Sequence, residues 1–285
     1  MAKGRTILMV EHNMKAVSSI ADRITVLQRG PVLAEGSYQE VSNNPLVIEA
    51  YMSTMALEVK NLESWYGESH ILHGVNFVVR DGEVVTLLGR NGAGRSTILK
   101  TILGLTSKRT GSVQVYGTET ISMSTYKIAR LGVGFCPEER GIFASLSTEE
   151  NLLLLPEIAP GGMGLDKIYE MFPNLYERRN SPGTRLSGGE QQMLAMARML
   201  RTGAKLLLLD EITEGLAPVI VQKLGEAVTS LCNKGFTIVL VEQNFRFAAP
   251  LADRHYVVEH ENVVEVVNQN GLTEKAALLN EYLGI

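Results

Sequence analysis

The chain has 285 residues, enough for one large domain or two small ones. Its net charge of −4 gives no electrostatic basis for nucleic-acid binding, and its two cysteines argue against a disulfide framework. No apolar run approaches the ~20 residues that span a bilayer, and the start lacks the apolar core of a secretory signal. We therefore expect a soluble intracellular protein that reaches a membrane only through partners.

The beginning of the chain resembles its end. Gly4–Asn13 aligns with Gly235–Asn244 at an offset of 231 residues, and the same offset, without a gap, aligns Ala21–Arg23 with Ala252–Arg254. Only one end is duplicated, so this is not a repeat array. The pattern predicts the tail of one domain followed by a complete second domain, with the boundary near residues 53–56.

Apolar patterning predicts secondary structure in this N-terminal segment, which has no phosphate loop and so is not expected to bind nucleotide alone. The predicted elements are strands at Thr6–Val10, Ile24–Leu27 and Val32–Ala34, and helices near Met14–Ala21 and Leu46–Ser53. Two alternatives are open for the segment. It is either a loosely packed appendage or a piece docked on the main domain, since apolar faces need cover.

A glycine-rich loop between a strand and a helix is the first motif with clear chemistry. The apolar run Glu83–Leu88 predicts a buried parallel strand, and Ser96–Leu103 has helical spacing. The motif itself is Gly89, Arg90, Asn91, Gly92, Ala93, Gly94, Arg95, Ser96 and Thr97. It matches the phosphate-loop pattern except at Arg95, where the pattern has Lys. Loop N–H groups and the helix N-terminus bind phosphate, and Ser96 suits magnesium, so the ligand is a nucleoside triphosphate with Mg²⁺.

Alternating strands surround this loop in the sequence. Leu57–Lys60 begins one strand and Val113–Tyr116 forms another, so antiparallel strands and the phosphate loop share this region. Tyr66 lies upstream of the loop. Its ring either stacks on an adenine or packs within the sheet, which is the commoner role of a strand tyrosine.

A second glycine pair opens a later helix. Its start comprises Leu186, Ser187, Gly188, Gly189 and Glu190, its buried face comprises Met193, Met196, Ala197 and Leu200, and Gly203 is a plausible terminator. The N–H groups at this start either cap the helix or bind another phosphate. One nucleotide needs no second site in the same chain. Phosphate binding here would therefore require two copies that meet head to tail.

Two carboxylates follow a buried leucine strand. Leu206–Leu209 is the strand, and Asp210 and Glu211 stand at its end. Buried carboxylates need a cation or hydrogen bonds. Asp210 suits magnesium, through water, and Glu211 suits a base that orients the attacking water. The upstream phosphate loop disfavours the alternative of two solvated loop residues.

The Leu186–Glu190 motif shortly before Leu206–Glu211 resembles the ABC ATPase family, over Leu57 to Ile285. The N-terminal segment resembles the end of a LivG-type subunit through Val10–Met14 and Ile48–Tyr51. Further motifs resemble the LivF-type ATP-binding subunit of branched-chain amino acid importers: Tyr66-Gly67, His70–Val75, Pro137–Phe143, Thr213–Pro218 and Val241–Asn244.

The resemblance implies an α/β fold: a RecA-like P-loop core, an antiparallel β subdomain and a helical insert around Ser147–Arg185. It also implies that residues 56–285 are a complete nucleotide-binding domain and residues 1–55 a remnant. The remnant suggests a fusion of adjacent genes with most of the first lost. The implied partners are a second ABC ATPase subunit, membrane permease subunits that contact the helical insert and, indirectly, a periplasmic substrate-binding protein. The implied location is cytoplasmic, on the inner face of the cell membrane.

The resemblance also assigns roles to residues. Tyr66 would stack on adenine, the phosphate loop would hold ATP, and Leu186–Glu190 would reach the partner's ATP. Glu138 stands where a Gln usually touches magnesium, and Gln243 stands where many relatives have a His that contacts the γ-phosphate. Ser96, Glu138 and Asp210 are therefore expected on Mg²⁺, and Glu211, Gln243 and Arg95 in catalysis.

Two residues depart from the family, Arg95 for Lys and Ile212 for Pro. A forked guanidinium keeps the charge but changes its geometry, so we expect binding to survive and hydrolysis to slow. Ile212 removes a φ restriction and would loosen the turn after Glu211. Two functions follow: an active ATPase for amino acid import, or a nucleotide-binding subunit that hydrolyses poorly. A urea or amide importer shares these motifs, whereas a repair or translation ATPase would have two complete domains.

Overall fold

The protein is described from a computed structural model. The structure describes residues 8–9, 17, 20–27, 32–47, 55–272 and 274–283. It divides the chain into two compact units, residues 1–54 and residues 55–285, and each is described by itself. Among the described residues, no helix has both the length and the apolarity needed to cross a membrane.

The N-terminal unit contains a strand pair and a short helix. β1 (Ile24–Leu27) and β2 (Val32–Gly36) pair antiparallel, and α1 (Tyr38–Ser42) follows. Both strands were predicted, and β2 extends two residues beyond the prediction. A small core of buried residues holds these elements together: Ile24, Val26, Val41 and Val47.

Helix α1 was not predicted, although a local signal for it exists. Ser37 and Glu40 form a capping box: the Ser37 side chain accepts the Glu40 N–H, and the Glu40 carboxylate accepts the Ser37 N–H. The other predicted elements of this segment, Thr6–Val10, Met14–Ala21 and Leu46–Ser53, lie largely outside the described residues, as does His12.

In its described residues, the main unit mixes strands with helices. Its strands are β3 (Met55–Tyr66), β4 (Ser69–Arg80), β5 (Val84–Leu88), β6 (Lys108–Val115), β7 (Thr118–Glu119), β8 (Val133–Cys136), β9 (Leu206–Asp210), β10 (Thr237–Val241), β11 (Arg254–Glu259) and β12 (Asn262–Asn268). Its helices are α2 (Arg95–Ile102), α3 (Thr125–Ala129), α4 (Thr148–Leu154), α5 (Leu165–Met171), α6 (Pro173–Glu177), α7 (Gly188–Arg201), α8 (Pro218–Asn233), α9 (Phe245–Ala248) and α10 (Ala276–Leu283). Short 3₁₀ turns lie at Gly183–Arg185 and Gln269–Gly271.

The larger sheet positions the functional residues. Among the described residues it has six strands in the order β12-β11-β5-β10-β9-β8, all parallel except β12. β5, β9 and β10 are buried throughout, as continuous apolar runs predict. Parallel strands end at one edge, so the segments that follow these three strands meet there.

The smaller sheet is antiparallel, with the order β4-β3-β6-β7 in the described part of the chain. This confirms the predicted mixture of antiparallel strands and phosphate loop. The strand predicted at Val113–Tyr116 is β6, which begins earlier, at Lys108, and ends at Val115. Tyr66 is the last residue of β3.

The helical insert lies where it was predicted, between β8 and β9. α4 begins after a capping box formed by Ser147 and Glu150. The insert also contains α5, where Ile168 is buried, and the following Phe172 is buried as well. α7 has its predicted buried face and ends before Gly203, whose φ of +86° suits glycine.

Candidate functional site

The phosphate loop connects the end of β5 to α2. Gly92 and Gly94 have φ of +80° and +95°, a region that favours glycine. Gly89 is constrained differently: a Cβ at this position would lie 2.3 Å from the carbonyl oxygen of Val258. The Ala93 N–H donates to the Arg90 carbonyl at 3.1 Å. The structure thus forms the predicted glycine-dependent turn at a helix N-terminus.

Arg95 is buried inside this loop rather than exposed to solvent. Its side chain is 3% exposed, and Nη1 donates to the carbonyls of Gly89 and Glu242, the latter at 2.9 Å. Nη2 donates to Asn91 Oδ1 at 3.3 Å and to Glu211 Oε1 at 2.7 Å. Sequence reasoning identified Arg95 and Glu211 separately but did not predict that they pair.

Burial and charge act in opposite directions on Arg95. Burial lowers the pKa of its guanidinium, while the surrounding carboxylates, Glu211 first, raise it. An arginine stays protonated under such conditions. The loop therefore carries a fixed positive charge, and its nearest counter-charge is the carboxylate of Glu211.

Ser96 and Asp210 lie side by side and offer oxygen atoms that suit a magnesium ion. The Ser96 hydroxyl donates to Asp210 Oδ1 at 2.8 Å. Burial is the main reason that the pKa of Asp210 is raised to about 6, and the Ser96 hydrogen bond opposes this shift. A buried carboxylate beside a hydroxyl is a suitable pair of oxygen ligands for a cation.

Glu138 lies in the segment after β8 and is exposed. Its pKa is raised, first by partial desolvation of the carboxylate against the protein surface and then by the neighbouring Glu214. Among the described residues, no cluster of three or more His, Cys, Asp or Glu side chains is arranged to hold a metal by itself. Magnesium that accompanies a nucleotide needs only one or two protein ligands beside phosphate and water, so the oxygens of Ser96 and Asp210 fit such an ion.

The turn after β9 carries Glu211 in an unusual backbone conformation. Its φ is +46°, and its N–H donates to the Val241 carbonyl at 2.9 Å. Ile212, which stands in place of a proline, is 1% exposed in the core. The next residue, Thr213, is held by Glu242: its N–H donates to Glu242 Oε1 at 3.1 Å and its hydroxyl to Oε2 at 2.8 Å.

Glu242 is a site residue that sequence reasoning missed. It is 2% exposed, and its pKa is raised to about 7, chiefly by burial, while hydrogen bonds from Thr213 oppose the shift. A signal was available, because Glu242 directly follows the buried strand β10 as Asp210 ends β9. Gln243, the predicted catalytic neighbour, is exposed beside it at the same edge of the sheet.

Tyr66 has the exposure needed to receive a base. Its side chain is 44% exposed at the end of β3, so it is not buried in a core, and its stacking on adenine stays a prediction. Trp65, the preceding residue, stacks on His70 with ring centroids 4.3 Å apart, and Lys108 Nζ lies 4.4 Å from its ring centroid.

The Leu186–Glu190 motif caps α7. The Glu190 N–H donates to Ser187 Oγ at 3.3 Å, and the Ser187 N–H donates to Glu190 Oε2 at 2.8 Å. Glu190 also lies 3.6 Å from Arg178 Nε. Gly189 is buried so closely that a Cβ would lie 2.7 Å from Ile220 Cγ2. Among the described residues, no hydrogen bond joins this motif to the phosphate loop.

The structure thus brings together Arg95 and Ser96 at the start of α2, Asp210 and Glu211 at the end of β9, and Glu242 directly after β10. The guanidinium of Arg95, the possible metal-ligand oxygens of Ser96 and Asp210, and the candidate base Glu211 therefore lie together beside the phosphate loop. Such an arrangement suits transfer of a terminal phosphoryl group to water.

Comparison with known proteins gives two family matches. A family model described as ABC transporter matches residues 72–214. Another, described as branched-chain amino acid ATP-binding cassette transporter, matches residues 32–52. The second match falls in the N-terminal unit and the first in the main unit.

Two curated relatives are similar over most of the main unit. The high-affinity branched-chain amino acid transport ATP-binding protein BraG of Pseudomonas aeruginosa is 40% identical over 237 residues, 80% of this chain and 99% of that protein. The probable branched-chain amino acid transport ATP-binding protein LivF of Archaeoglobus fulgidus is 33% identical over 233 residues, 80% of this chain and 99% of that protein.

A solved structure has the same fold. The ATP-binding subunit of an ABC transporter superposes with a TM-score of 0.69 at 26% identity, covering 81% of this chain and all of that one. The sheet edge that carries Asp210 and Glu211 therefore belongs to a fold already known to bind ATP.

Proposed function

The chain belongs to the ABC transporter family of ATP-binding proteins, and we propose that it drives uptake of branched-chain or related amino acids. Its fold is that of an ABC ATPase, and it is an ATP-hydrolysing transport subunit. The observation that carries the proposal is the convergence of Ser96, Asp210 and Glu211 beside the phosphate loop. The amino acid assignment is supported by the similarity to BraG and LivF.

ATP lies along the edge of the larger sheet in this proposal. The N–H groups of Gly89–Thr97 and the N-terminus of α2 bind its phosphates, and Tyr66 stacks on its adenine. Arg95 supplies positive charge to the phosphates. Ser96 and Asp210, together with Glu138, would hold Mg²⁺, which would supply further charge neutralisation at the phosphates.

Hydrolysis needs a base and an oriented water. Glu211 at the end of β9 orients the attacking water and accepts its proton, and Gln243 contacts the γ-phosphate from the end of β10. Burial at the sheet edge excludes bulk water and strengthens the interactions of Arg95 with phosphate oxygens.

Two copies of the nucleotide-binding domain complete the site. The Leu186–Glu190 motif has free N–H groups at the start of α7, yet in one chain it makes no hydrogen bond to the phosphate loop among the described residues. In a head-to-tail dimer the motif of one subunit covers the ATP of the other, and the partner is either a second copy or another ABC ATPase subunit.

A groove beside Glu138 is the surface that suits a permease. It has a volume of about 280 Å³ and is lined by α3, β8, the segment after β8, the insert and α7, with Pro137, Arg140, Leu155 and Pro156 among its residues. The same segments expose Phe143 and Leu154. We propose that a permease segment fills this groove on the inner face of the membrane, and that a periplasmic substrate-binding protein delivers the amino acid to the permease.

A second candidate function, ATP binding with impaired hydrolysis, is favoured by the Arg95–Glu211 ion pair. Glu211 cannot orient water while it is held at 2.7 Å by a guanidinium. ATP must first draw Arg95 onto its phosphates. A slow subunit of this kind would rely on an intact partner for turnover.

We infer that residues 1–55 correspond to the C-terminal end of a second ABC ATPase. The match of residues 32–52 to a branched-chain cassette family supports this. The described residues of this segment have a small core of their own.

A transport assay tests the proposal. The subunit is reconstituted in proteoliposomes with its permease and binding protein, and labelled leucine and labelled urea are offered separately. Leucine uptake that requires ATP and is lost in Glu211→Gln supports the proposal. Uptake of urea alone assigns the subunit to an amide importer, and ATP-dependent release of solute assigns it to an exporter; either result contradicts amino acid import.

A further inference from the structure

Glu242 connects two strand ends of the ATP site. Its carboxylate is buried, and both of its oxygens are used by one residue of the neighbouring turn: Oε1 accepts the Thr213 N–H at 3.1 Å and Oε2 accepts the Thr213 hydroxyl at 2.8 Å. Carboxylates are seldom buried without such donors. The two hydrogen bonds fix both the backbone and the side chain of Thr213.

Thr213 lies in the turn that begins with Glu211. The Glu214 N–H donates to the Glu211 carbonyl at 3.2 Å, and the Leu216 N–H donates to the Thr213 carbonyl at 3.3 Å. The turn starts from a left-handed Glu211, and the next residue, Ile212, does not restrict φ as a proline would. Something other than a proline must therefore hold this turn.

The backbone of the same short segment holds the catalytic pair. The Val241 carbonyl accepts the Glu211 N–H at 2.9 Å, and the Glu242 carbonyl accepts Arg95 Nη1 at 2.9 Å. The end of β10 thus contacts Glu211, Arg95 and Thr213 through two consecutive residues. A shift of Glu242 would disturb all three contacts.

We propose that Glu242 is a positioning residue for Glu211, acting through Thr213 to hold the turn after β9. Its catalytic consequence rests on the proposed ATPase function. The two hydrogen bonds from Thr213 to Glu242, called the brace below, are a property of the fold and do not depend on turnover. Removing the carboxylate would leave the N–H and hydroxyl of Thr213 buried without partners, which favours rearrangement of the turn.

Four variants test the role. Glu242→Ala removes both acceptors, Thr213→Val removes the hydroxyl with little change of volume, and Thr213→Ser is the matched control that keeps the hydroxyl. The fourth is the Glu242→Ala/Thr213→Val double variant. Thr213→Val keeps the test valid if Glu242→Ala does not fold.

Amide exchange measures the brace without any need for turnover. We expect Glu242→Ala to speed exchange across residues 212–216 by about 10-fold or more, with α2 unchanged, because the N–H of Thr213 loses its acceptor. Unaltered exchange in residues 212–216 of Glu242→Ala overturns the brace. If Glu242→Ala does not fold, Thr213→Val is measured instead; it keeps the N–H bond to Oε1 and loses the hydroxyl bond to Oε2. Faster exchange across residues 212–216 of Thr213→Val then supports the brace, and unaltered exchange overturns it.

Steady-state kinetics of ATP hydrolysis test whether Glu242 positions Glu211. We expect Glu242→Ala and Thr213→Val to lower kcat for ATP hydrolysis by about 10- to 100-fold while KM changes by less than about 3-fold, because a misplaced base affects the chemical step more than binding. Thr213→Ser should stay within about 3-fold of the original protein. The double variant should be no slower than the slower single variant, because both substitutions remove the same interaction and their effects do not add.

A full kcat in Glu242→Ala or in Thr213→Val overturns the positioning role. A failure of the unmodified protein to hydrolyse ATP would contradict the proposed function instead. The exchange measurement would still decide whether Glu242 holds the turn.

Discussion

Arg95 and Glu211 form a buried ion pair, with Nη2 2.7 Å from Oε1 and the two side chains only 3% and 12% exposed. The pair joins the phosphate loop to the turn after β9. In this structure the guanidinium of Arg95, which is proposed to bind phosphate, is paired with the carboxylate of Glu211, which is proposed to orient the attacking water. Because a guanidinium is forked, Arg95 also bonds the Glu242 carbonyl at the same time, which a lysine ammonium at this position is less suited to do.

Gly89 gives a prediction about the loop. A Cβ there would meet the Val258 carbonyl at 2.3 Å, so Gly89→Ala must shift backbone. We expect a loss of about 1–3 kcal/mol in the free energy of unfolding, measured by urea denaturation, together with weaker ATP binding.

Gly164→Ala is the control for Gly89→Ala. Gly164 precedes α5 with φ of −63°, and a Cβ there meets nothing within 4 Å. Its effect should stay within about 0.5 kcal/mol. Equal effects at the two positions would show that the contact with Val258 does not restrict the loop.

Tyr66 gives a prediction about the base. Stacking on a base contributes about 1–3 kcal/mol, so Tyr66→Ala should raise the Kd for ATP by about 10-fold or more while Tyr66→Phe leaves it nearly unchanged. The sole tryptophan, Trp65, is adjacent and provides a fluorescence signal for the titration. Tyr126, a tyrosine on α3 that is also exposed, is the control, and Tyr126→Ala should bind ATP normally. An unchanged Kd in Tyr66→Ala would remove Tyr66 from the site.

Glu242 gives a prediction about pH. Its pKa is raised from 4.5 to about 7, mainly by burial, so between these values the folded protein binds more protons than the unfolded chain. The contribution to stability is therefore present below about pH 4.5 and is lost as the pH rises through about 7, on the order of 3 kcal/mol in total. We expect the free energy of unfolding of Glu242→Gln, without nucleotide, to fall less between pH 5 and pH 8 than that of the original protein.

Urea denaturation at several pH values measures this difference. The fall in stability of the original protein with rising pH should follow deprotonation of Glu242, because burial and the neighbouring charge of Glu211 both disfavour the charged form of its carboxylate. Parallel stability curves for the two proteins would mean that Glu242 does not change its proton binding on folding.

The parts of the site that were predictable from sequence depend on local pattern. The phosphate loop combines a strand, glycines and a helix within one short stretch, and Asp210 and Glu211 directly end a leucine strand. Such signals lie in neighbouring residues, so they predicted both the elements and their chemistry. Helix α1 had an equally local signal in its Ser37–Glu40 capping box.

The parts that were not predictable depend on contacts between distant residues. Arg95 and Glu211 are 116 positions apart, and Thr213 and Glu242 are 29 apart. Which strand ends become neighbours is fixed by the β5-β10-β9 order of the larger sheet, and strand order is not a property of any one segment. The sequence therefore predicts a looser turn at Ile212 but gives no sign that Glu242, which follows the neighbouring strand, bonds to that turn through Thr213.

The central claim is that the phosphate-loop site hydrolyses ATP at a rate limited by Arg95. Steady-state hydrolysis by the purified protein and by Arg95→Lys, with Mg²⁺ and saturating ATP, tests it most directly. We expect measurable turnover in the original protein and a kcat about 10- to 100-fold higher in Arg95→Lys, with similar ATP affinity. An original protein that turns over as fast as Arg95→Lys would contradict the limiting role of Arg95, and one that neither binds nor hydrolyses ATP would contradict the account as a whole.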